Sequence, residues 1–65
     1  MRILVNGASR EIGGEDLSAA LEELGYGGAV VATAVNGEFV PAAGRRTARL
    51  ADGDRIEVLA PMQGG

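Results

Sequence analysis

The first residues of the chain alternate between the two faces of an extended segment. One face is apolar and consists of Met1, Ile3 and Val5. This period of two is typical of a strand with one buried face. The Asn6-Gly7 pair that follows favours the positive φ angles of a two-residue hairpin turn. We therefore expect a return strand over residues 9–12, after which Gly13-Gly14 releases the chain from the sheet.

The hydrophobic period changes after residue 16. Apolar side chains recur at helical spacing, at Leu17, Ala20, Leu21 and Leu24. Asp16 can accept hydrogen bonds from the free N–H groups of a first helical turn, and Gly25 suits the left-handed conformation that ends many helices. The pattern predicts one amphipathic helix between these two residues.

An apolar, β-branched run occupies residues 29–35. Such a run predicts a strand buried on both faces, and Asn36-Gly37 indicates a second hairpin. The partner strand covers residues 38–40 and stops at Pro41, because proline cannot donate to a β-ladder. We expect Phe39 to anchor the core, since so small a core has few large side chains.

The last third of the chain contains one further clear strand. Residues 42–49 show no regular period, which favours a loop with room for a short strand. The turn sequence Asp52-Gly53-Asp54 then precedes an alternating segment that Pro61 ends. One face of this last strand is formed by Ile56, Val58 and Ala60.

The predicted order is strand, strand, helix, strand, short strand, strand, which indicates the α+β class. One helix can cover only one face of a sheet. A right-handed crossover through this helix brings the last strand beside the first, in parallel, at the sheet centre. This arrangement is the ubiquitin-like β-grasp fold, a mixed sheet of four to five strands packed on one α-helix. We assign residues 1–61 to this domain and residues 62–65 to a flexible C-terminal diglycine tail.

Composition narrows the functional classes. The 65 residues include neither Cys nor His, so the commonest metal ligands, the usual general base and the best side-chain nucleophile are missing. A formal net charge of −3 and only two aromatic residues argue against nucleic-acid binding. The sequence contains neither a long apolar segment nor a signal-peptide pattern. We expect a cytoplasmic protein that is monomeric when free, is not an enzyme, and binds no metal, cofactor or membrane.

The end of the chain, Met62-Gln63-Gly64-Gly65, is its most informative segment. Glycine lets a backbone pass through a channel too narrow for a Cβ atom. Fully extended, the five residues from Pro61 onward span at most about 16–18 Å. We therefore predict that the carboxylate of Gly65 can be threaded into the active site of a partner and is the reactive group of the protein.

Two glycine pairs and two carboxylates have structural explanations that we favour over functional ones. Gly13-Gly14 and Gly27-Gly28 lack the Lys-Ser/Thr pair of a phosphate-binding loop and fit turns. Asp52 and Asp54 lack a partner for acid–base chemistry and also fit a turn.

Two surface features leave a functional interpretation open. The arginines at positions 45, 46 and 49 form either a solvated loop or a contact for a partner. The alternation of the last strand places Leu59 on the sheet face away from the helix. An aliphatic side chain there, beside the tail, suits docking on a partner together with Met62.

The chain resembles the ThiS family of sulfur carriers in thiamine biosynthesis over its whole length. The resemblance rests on four stretches: Ile3-Leu4-Val5-Asn6-Gly7, residues 35–41 (VNGEFVP), residues 50–58 (LADGDRIEV) and the closing Gly64-Gly65. The last two of these stretches are specific when found together, whereas a diglycine end alone would not be.

The resemblance implies a chemistry at Gly65 in which the protein is a co-substrate. A ThiF-type adenylyltransferase, which supplies the ATP and Mg, converts the carboxylate of Gly65 into an acyl-adenylate. A persulfide sulfur donor then displaces AMP, and the resulting thiocarboxylate donates sulfur to thiazole synthase (ThiG). We assign tail or partner binding to Gly64, Gln63, Met62 and Leu59.

Three other functions use the same fold. A MoaD-like small subunit of molybdopterin synthase shares the diglycine and its activation. That family usually has an aromatic residue and paired prolines before the last glycines, where this chain has Ala60-Pro61-Met62-Gln63. A ubiquitin-like interaction module would not need its tail, and a protein modifier would be conjugated to lysines.

Overall fold

The structure, a computed structural model, describes residues 1–60. Within that range the chain forms five strands and one α-helix. In chain order the elements are β1 (Arg2–Val5), β2 (Ala8–Glu11), α1 (Leu17–Glu23), β3 (Ala32–Val35), β4 (Glu38–Val40), a 3₁₀ turn (Ala42–Gly44) and β5 (Arg55–Leu59). The predicted strand end and domain boundary at Pro61, and the predicted tail of residues 62–65, lie outside the described residues.

The strands form one mixed sheet in the order β2-β1-β5-β3-β4. β5 runs parallel to β1 and antiparallel to β3. The strand that comes last along residues 1–60 therefore lies at the centre of the sheet, beside the first. This is the predicted β-grasp topology.

Both Asn-Gly pairs form the predicted two-residue turns. The φ angles are 50° at Asn6 and 87° at Gly7, and 50° at Asn36 and 86° at Gly37. A type I′ turn requires positive φ at both central residues, and its twist matches that of the strands it joins. The turns therefore set the antiparallel registers of β1 with β2 and of β3 with β4.

Helix α1 begins and ends where its sequence signals place it. The Asp16 Oδ1 atom accepts a hydrogen bond of 2.8 Å from the N–H group of Ala19. At the other end Gly25 has a φ of 92°, and the N–H group of Tyr26 donates to the carbonyl of Leu21 at 2.8 Å. This pattern is the Schellman motif, which satisfies carbonyls that have no partner within the helix.

The hydrophobic core lies between α1 and one face of the sheet. Its buried side chains are Ile3, Val5, Ile12, Leu17, Ala20, Leu21, Leu50, Ile56 and Val58. The central strands β1 and β5 each contribute alternate residues, as their period of two predicts. Ala60 was predicted to share this face, but it is exposed, because β5 ends at Leu59 and Ala60 lies beyond the ladder.

The prediction of a strand over residues 29–35 buried on both faces is wrong. β3 begins at Ala32, Thr33 is its one buried residue, and Val30 is 79% exposed. The helix covers one face of the sheet. The opposite face, which we call the outer face, has no second layer within residues 1–60.

Phe39 does not anchor the core, contrary to prediction, and is 70% exposed. The turn before β4 places Phe39 opposite Ala34 and Val40 opposite Thr33. Paired residues share a face, and neighbouring residues along a strand face opposite ways. Since Thr33 points into the core, Val40 takes the inward position and Phe39 the outer face.

The segment between β4 and β5 packs beside the start of α1. It contains the 3₁₀ turn in place of the predicted short strand, and Arg49 forms a single bridge with Asp16. The N–H group of Leu17 donates to the Ala48 carbonyl, and the N–H group of Leu50 donates to the Glu15 carbonyl, each at 2.9 Å. These bonds hold the segment against the base of the helix.

The exposures of two leucines predict very different costs of truncation. Leu17 is fully buried and Leu59 is 68% exposed. We expect Leu17→Ala to lower the free energy of unfolding by about 2–5 kcal/mol, because it leaves a cavity in a core with few side chains. The matched change Leu59→Ala should alter it by less than about 0.5 kcal/mol. Urea denaturation measures both, and equal losses would contradict the described core.

Candidate functional site

The described part of the candidate site is the C-terminal end of β5. Among the residues predicted to act there, Leu59 lies within the described range. Met62, Gln63, Gly64 and Gly65 lie outside the described residues, so their roles stay predictions. The structure defines the point, at Ala60, after which the tail continues.

The side chain of Asn6 holds the end of β5. Its Oδ1 atom accepts from the N–H group of Val58 at 2.9 Å, and its Nδ2 atom donates to the Val58 carbonyl at 3.1 Å. The amide thereby satisfies both backbone groups of Val58, which the backbone of a longer β1 would otherwise have to pair. β1 ends at Val5, so this side chain extends the pairing of β1 with β5 beyond the strand.

Asn36 binds the start of β5 in a corresponding way. Its Oδ1 atom accepts from the N–H group of Arg55, and its Nδ2 atom donates to the Asp54 carboxylate, each at 3.0 Å. Its backbone N–H group donates to the Arg55 carbonyl at 2.7 Å. The two hairpin asparagines therefore fix opposite ends of the central strand.

Leu59 lies on the outer face, as predicted, and lines two grooves. The larger has a volume of about 570 Å³ and is lined by Leu4, Asn6, Gly7, Gly37, Arg55, Ile56, Glu57 and Leu59. The smaller has about 320 Å³ and is lined by Val30, Val31, Ala32, Leu59 and Ala60. Leu4, Val30 and Leu59 are exposed large apolar side chains. We call these three residues the apolar patch. Val30 and Leu59 lie beside Ala60, and Leu4 lies beside Arg55 at the other end of β5.

The glycine pair at residues 13 and 14 binds a carboxylate of the chain itself. The N–H groups of Gly13 and Gly14 donate to the Glu23 side chain at 2.9 and 2.6 Å. A Cβ atom on Gly14 would lie 2.6 Å from that of Ala19, which explains a glycine at this position. Donors occupied in this way are not available to a phosphate. The pair therefore has a structural role, although residues 13 and 14 form an irregular segment and not the predicted turn.

Asp52 and Asp54 also serve the backbone. Asp52 Oδ1 accepts from the N–H group of Arg2 at 2.7 Å, which ties the turn before β5 to the start of β1. Asp54 Oδ2 accepts from the N–H group of Ala51 at 2.8 Å. Both carboxylates therefore shape the turn, as predicted.

The three arginines do not form one basic surface. The Arg45 Nε atom donates to Thr33 Oγ1 at 3.1 Å, and its Nη2 atom donates to the Val31 carbonyl at 2.6 Å. Arg49 forms an ion pair of 2.7 Å with Glu15. Arg46 is exposed. Arg45 thus belongs to the structure of the sheet, and Arg46 is the arginine of the three that is left for a partner within residues 1–60.

The part of the chain that the structure describes has neither a cluster of metal-ligating side chains nor a membrane-spanning helix. In residues 1–60, no three His, Cys, Asp or Glu side chains are grouped so that they could hold a metal ion. The single helix of that range is too short to cross a bilayer.

The second role of Asn6 was not predicted from the sequence. The Asn6-Gly7 pair is a signal for a turn, and the turn accounts for both residues on local grounds. A hydrogen bond from Asn6 to Val58 joins positions 52 residues apart. It could be inferred only once β5 was placed parallel to β1 and its register was known.

Comparisons with known proteins agree on one family. The model of the ThiS family matches residues 3–65. The crystal structure of the thiamine biosynthesis protein ThiS from Geobacter metallireducens is similar with a TM-score of 0.77 and 32% identity, over 100% of both chains. The NMR solution structure of a thiamine biosynthesis protein from the same organism gives a TM-score of 0.77 and 28% identity, over 100% of this chain and 88% of that one. No curated protein matches the chain significantly.

The contacts of Arg45 predict an effect on stability that its neighbour does not share. We expect Arg45→Met to lower the free energy of unfolding by about 1–3 kcal/mol, because the half-buried Val31 carbonyl and Thr33 hydroxyl lose a charged partner. Arg46→Met, the matched change one residue later, should alter it by less than about 0.5 kcal/mol. Thermal or urea unfolding compares the two, and an Arg45 variant as stable as the Arg46 variant would contradict these contacts.

Proposed function

The chain belongs to the ThiS family, and from that premise we propose that it is a sulfur carrier of thiamine biosynthesis whose reactive group is the Gly65 carboxylate. The observation that carries the proposal is the match to the family model, which runs through the closing diglycine to residue 65. The protein is then a co-substrate that partner enzymes modify and use.

The proposed chemistry begins with activation, because a carboxylate is a poor electrophile. An oxygen of the Gly65 carboxylate attacks the α-phosphorus of ATP on a ThiF-type adenylyltransferase, and pyrophosphate leaves. A persulfide then attacks the carbonyl carbon of the acyl-adenylate and expels AMP. A thiol cleaves the S–S bond of the product, which leaves a thiocarboxylate on Gly65 and a disulfide. Thiazole synthase (ThiG) accepts the sulfur.

The contacts of the described residues support a passive role for the folded body. The carboxylates of Glu23, Asp52 and Asp54 accept bonds from backbone N–H groups. The guanidinium of Arg45 is bound to β3. These side chains hold turns and strands in place, and the ATP, Mg and sulfur donor are assigned to the partners.

The position of the apolar patch supports docking of the adenylyltransferase on the outer face. Residues 61–65 span at most about 16–18 Å, so the enzyme must bring its surface within that distance of Ala60. Leu59 is the large exposed side chain nearest in sequence to this point, and the grooves on either side of it can receive apolar side chains. Exposed apolar side chains next to a functional segment mark interaction sites.

A chemically synthesised chain with a C-terminal carboxamide tests the reactive group. It has the same length and side chains as the wild-type chain and lacks only the Gly65 carboxylate. After incubation with the adenylyltransferase, Mg-ATP, a persulfide donor and a reducing thiol, we expect intact mass to show sulfur in place of one oxygen in the wild-type chain and no change in the carboxamide. The two chains should unfold at the same urea concentration, because the described core ends at Val58.

Three other results would support the rival functions. Thiamine formation with the carboxamide would contradict the proposal and favour an interaction module. Adducts to lysines would favour a protein modifier. Copurification with a molybdopterin synthase large subunit, in place of thiazole synthase, would favour the MoaD-like function.

A charge placed on the apolar patch tests the docking surface. We expect Leu59→Glu to raise the KM of the adenylyltransferase for the carrier about tenfold, equivalent to about 1.4 kcal/mol, because a carboxylate enters an apolar contact. The kcat at saturating carrier should stay near that of the wild type. Ala51→Glu is the control, since it adds the same charge at an exposed position before β5. Equal KM values for the two variants would exclude Leu59 from the contact.

A further inference from the structure

We infer that Asn6 is a positioning residue for the tail, because its side-chain amide fixes the point at which the chain leaves the sheet. The inference rests on the proposed role of the Gly65 carboxylate. According to this inference, Asn6, a residue of the first hairpin turn, affects the position of the Gly65 carboxylate.

The amide of Asn6 continues the ladder where the backbone of β1 stops. The N–H group of Asn6 donates to the Ile56 carbonyl at 2.9 Å. After it, Gly7 turns the chain toward β2. The side chain of Asn6 then binds both backbone groups of Val58, two residues farther along β5. The pairing therefore reaches to within two residues of Ala60.

The other side of β5 is held independently. Thr33 lies opposite Val58, and Ala32 lies opposite Leu59 in β3. Thr33 is buried, donates to the Val40 carbonyl at 2.8 Å and accepts from Arg45. The end of β5 is thus fixed from both sides. Loss of the Asn6 amide would leave it paired with β3 alone, as an edge strand is.

The location of the tail base decides how often the Gly65 carboxylate meets the reactive centre of a docked partner. If Val58, Leu59 and Ala60 lost their fixed positions, the length of chain between the last fixed residue of the described range and the Gly65 carboxylate would grow from five residues to eight. Chain length alone would then lower the effective concentration of the carboxylate about twofold. Orientation would be lost as well, and small misplacements of a reacting group cost large factors in rate.

The variant Asn6→Gly removes the amide and keeps the turn, because glycine adopts a φ of 50° without strain. Asn36→Gly is a closely matched control. It has the same φ, lies in the same kind of turn and loses the same number of side-chain hydrogen bonds to the β5 region, at the opposite end of that strand. We expect the two variants to lose similar stability.

Adenylation kinetics separate positioning from stability. We expect Asn6→Gly to lower kcat at saturating carrier about fivefold, because the docked chain presents its carboxylate less often in a reactive position. Asn36→Gly should keep kcat within about twofold of the wild type. This pattern differs from that expected for Leu59→Glu, which raises KM. Asn6→Asp can still accept from the Val58 N–H group but cannot donate to its carbonyl, so its kcat should lie between those of Asn6→Gly and the wild type.

Amide hydrogen exchange in the free protein gives a readout that does not depend on any partner. Asn6→Gly should speed exchange at Val58, and Asn36→Gly should speed it at Arg55. If the wild type is adenylated and both glycine variants lose kcat equally, or neither loses it, the inference is overturned. If the wild type is not adenylated at all, the proposed function fails too. Unchanged exchange at Val58 in Asn6→Gly overturns the inference whatever the kinetics show.

Discussion

One amphipathic helix covers one face of a five-stranded sheet, and the rest of the described structure depends on that constraint. The inward positions of β1 and β5 meet α1 and form the core, with Leu17 and Ile56 almost completely buried. The side chains on the opposite face are not covered by another layer of residues 1–60, so they contact solvent or a binding partner. The exposure of Leu4 and Leu59 on that face is therefore a consequence of the layer count, and the position of Leu59 next to Ala60 suits the proposed docking.

The parts of the fold that local interactions determine could be predicted from the sequence. Asn6-Gly7 and Asn36-Gly37 form their turns because positive φ at two successive residues suits few other pairs. Asp16 and Gly25 mark the ends of α1 through hydrogen bonds to residues close in sequence. The central position of β5 in the sheet could also be predicted, because the right-handedness of crossover connections excludes most alternative strand orders.

The errors arose where burial depends on distant elements. An apolar run such as residues 29–35 is compatible with a strand that is covered on one face or on both faces. In this structure the outer face of the sheet is not covered within residues 1–60. Phe39 has the size of a core residue, but the turn before it sets a register that puts Val40 inside. At the candidate site, the outward position of Leu59 could be predicted from alternation. The role of Gly65 stays a prediction from its chemistry and the family resemblance. The bonds from Asn6 to Val58 could not be predicted, because they require the register of β5 beside β1.

The central strand of the sheet is also the one that comes last along the described chain. Leu4 of β1 pairs with Arg55 of β5, which lies far from it in the sequence. During synthesis on the ribosome, β1 and its hairpin therefore cannot pair with β5 until most of the chain has been made. Contacts of such high sequence separation form late and slow folding. A nascent chain halted before β5 would contain two hairpins that are not joined in one sheet. Its helix would have no continuous sheet face to pack against. An incomplete copy would therefore be a target for proteolysis and would not accumulate beside finished molecules.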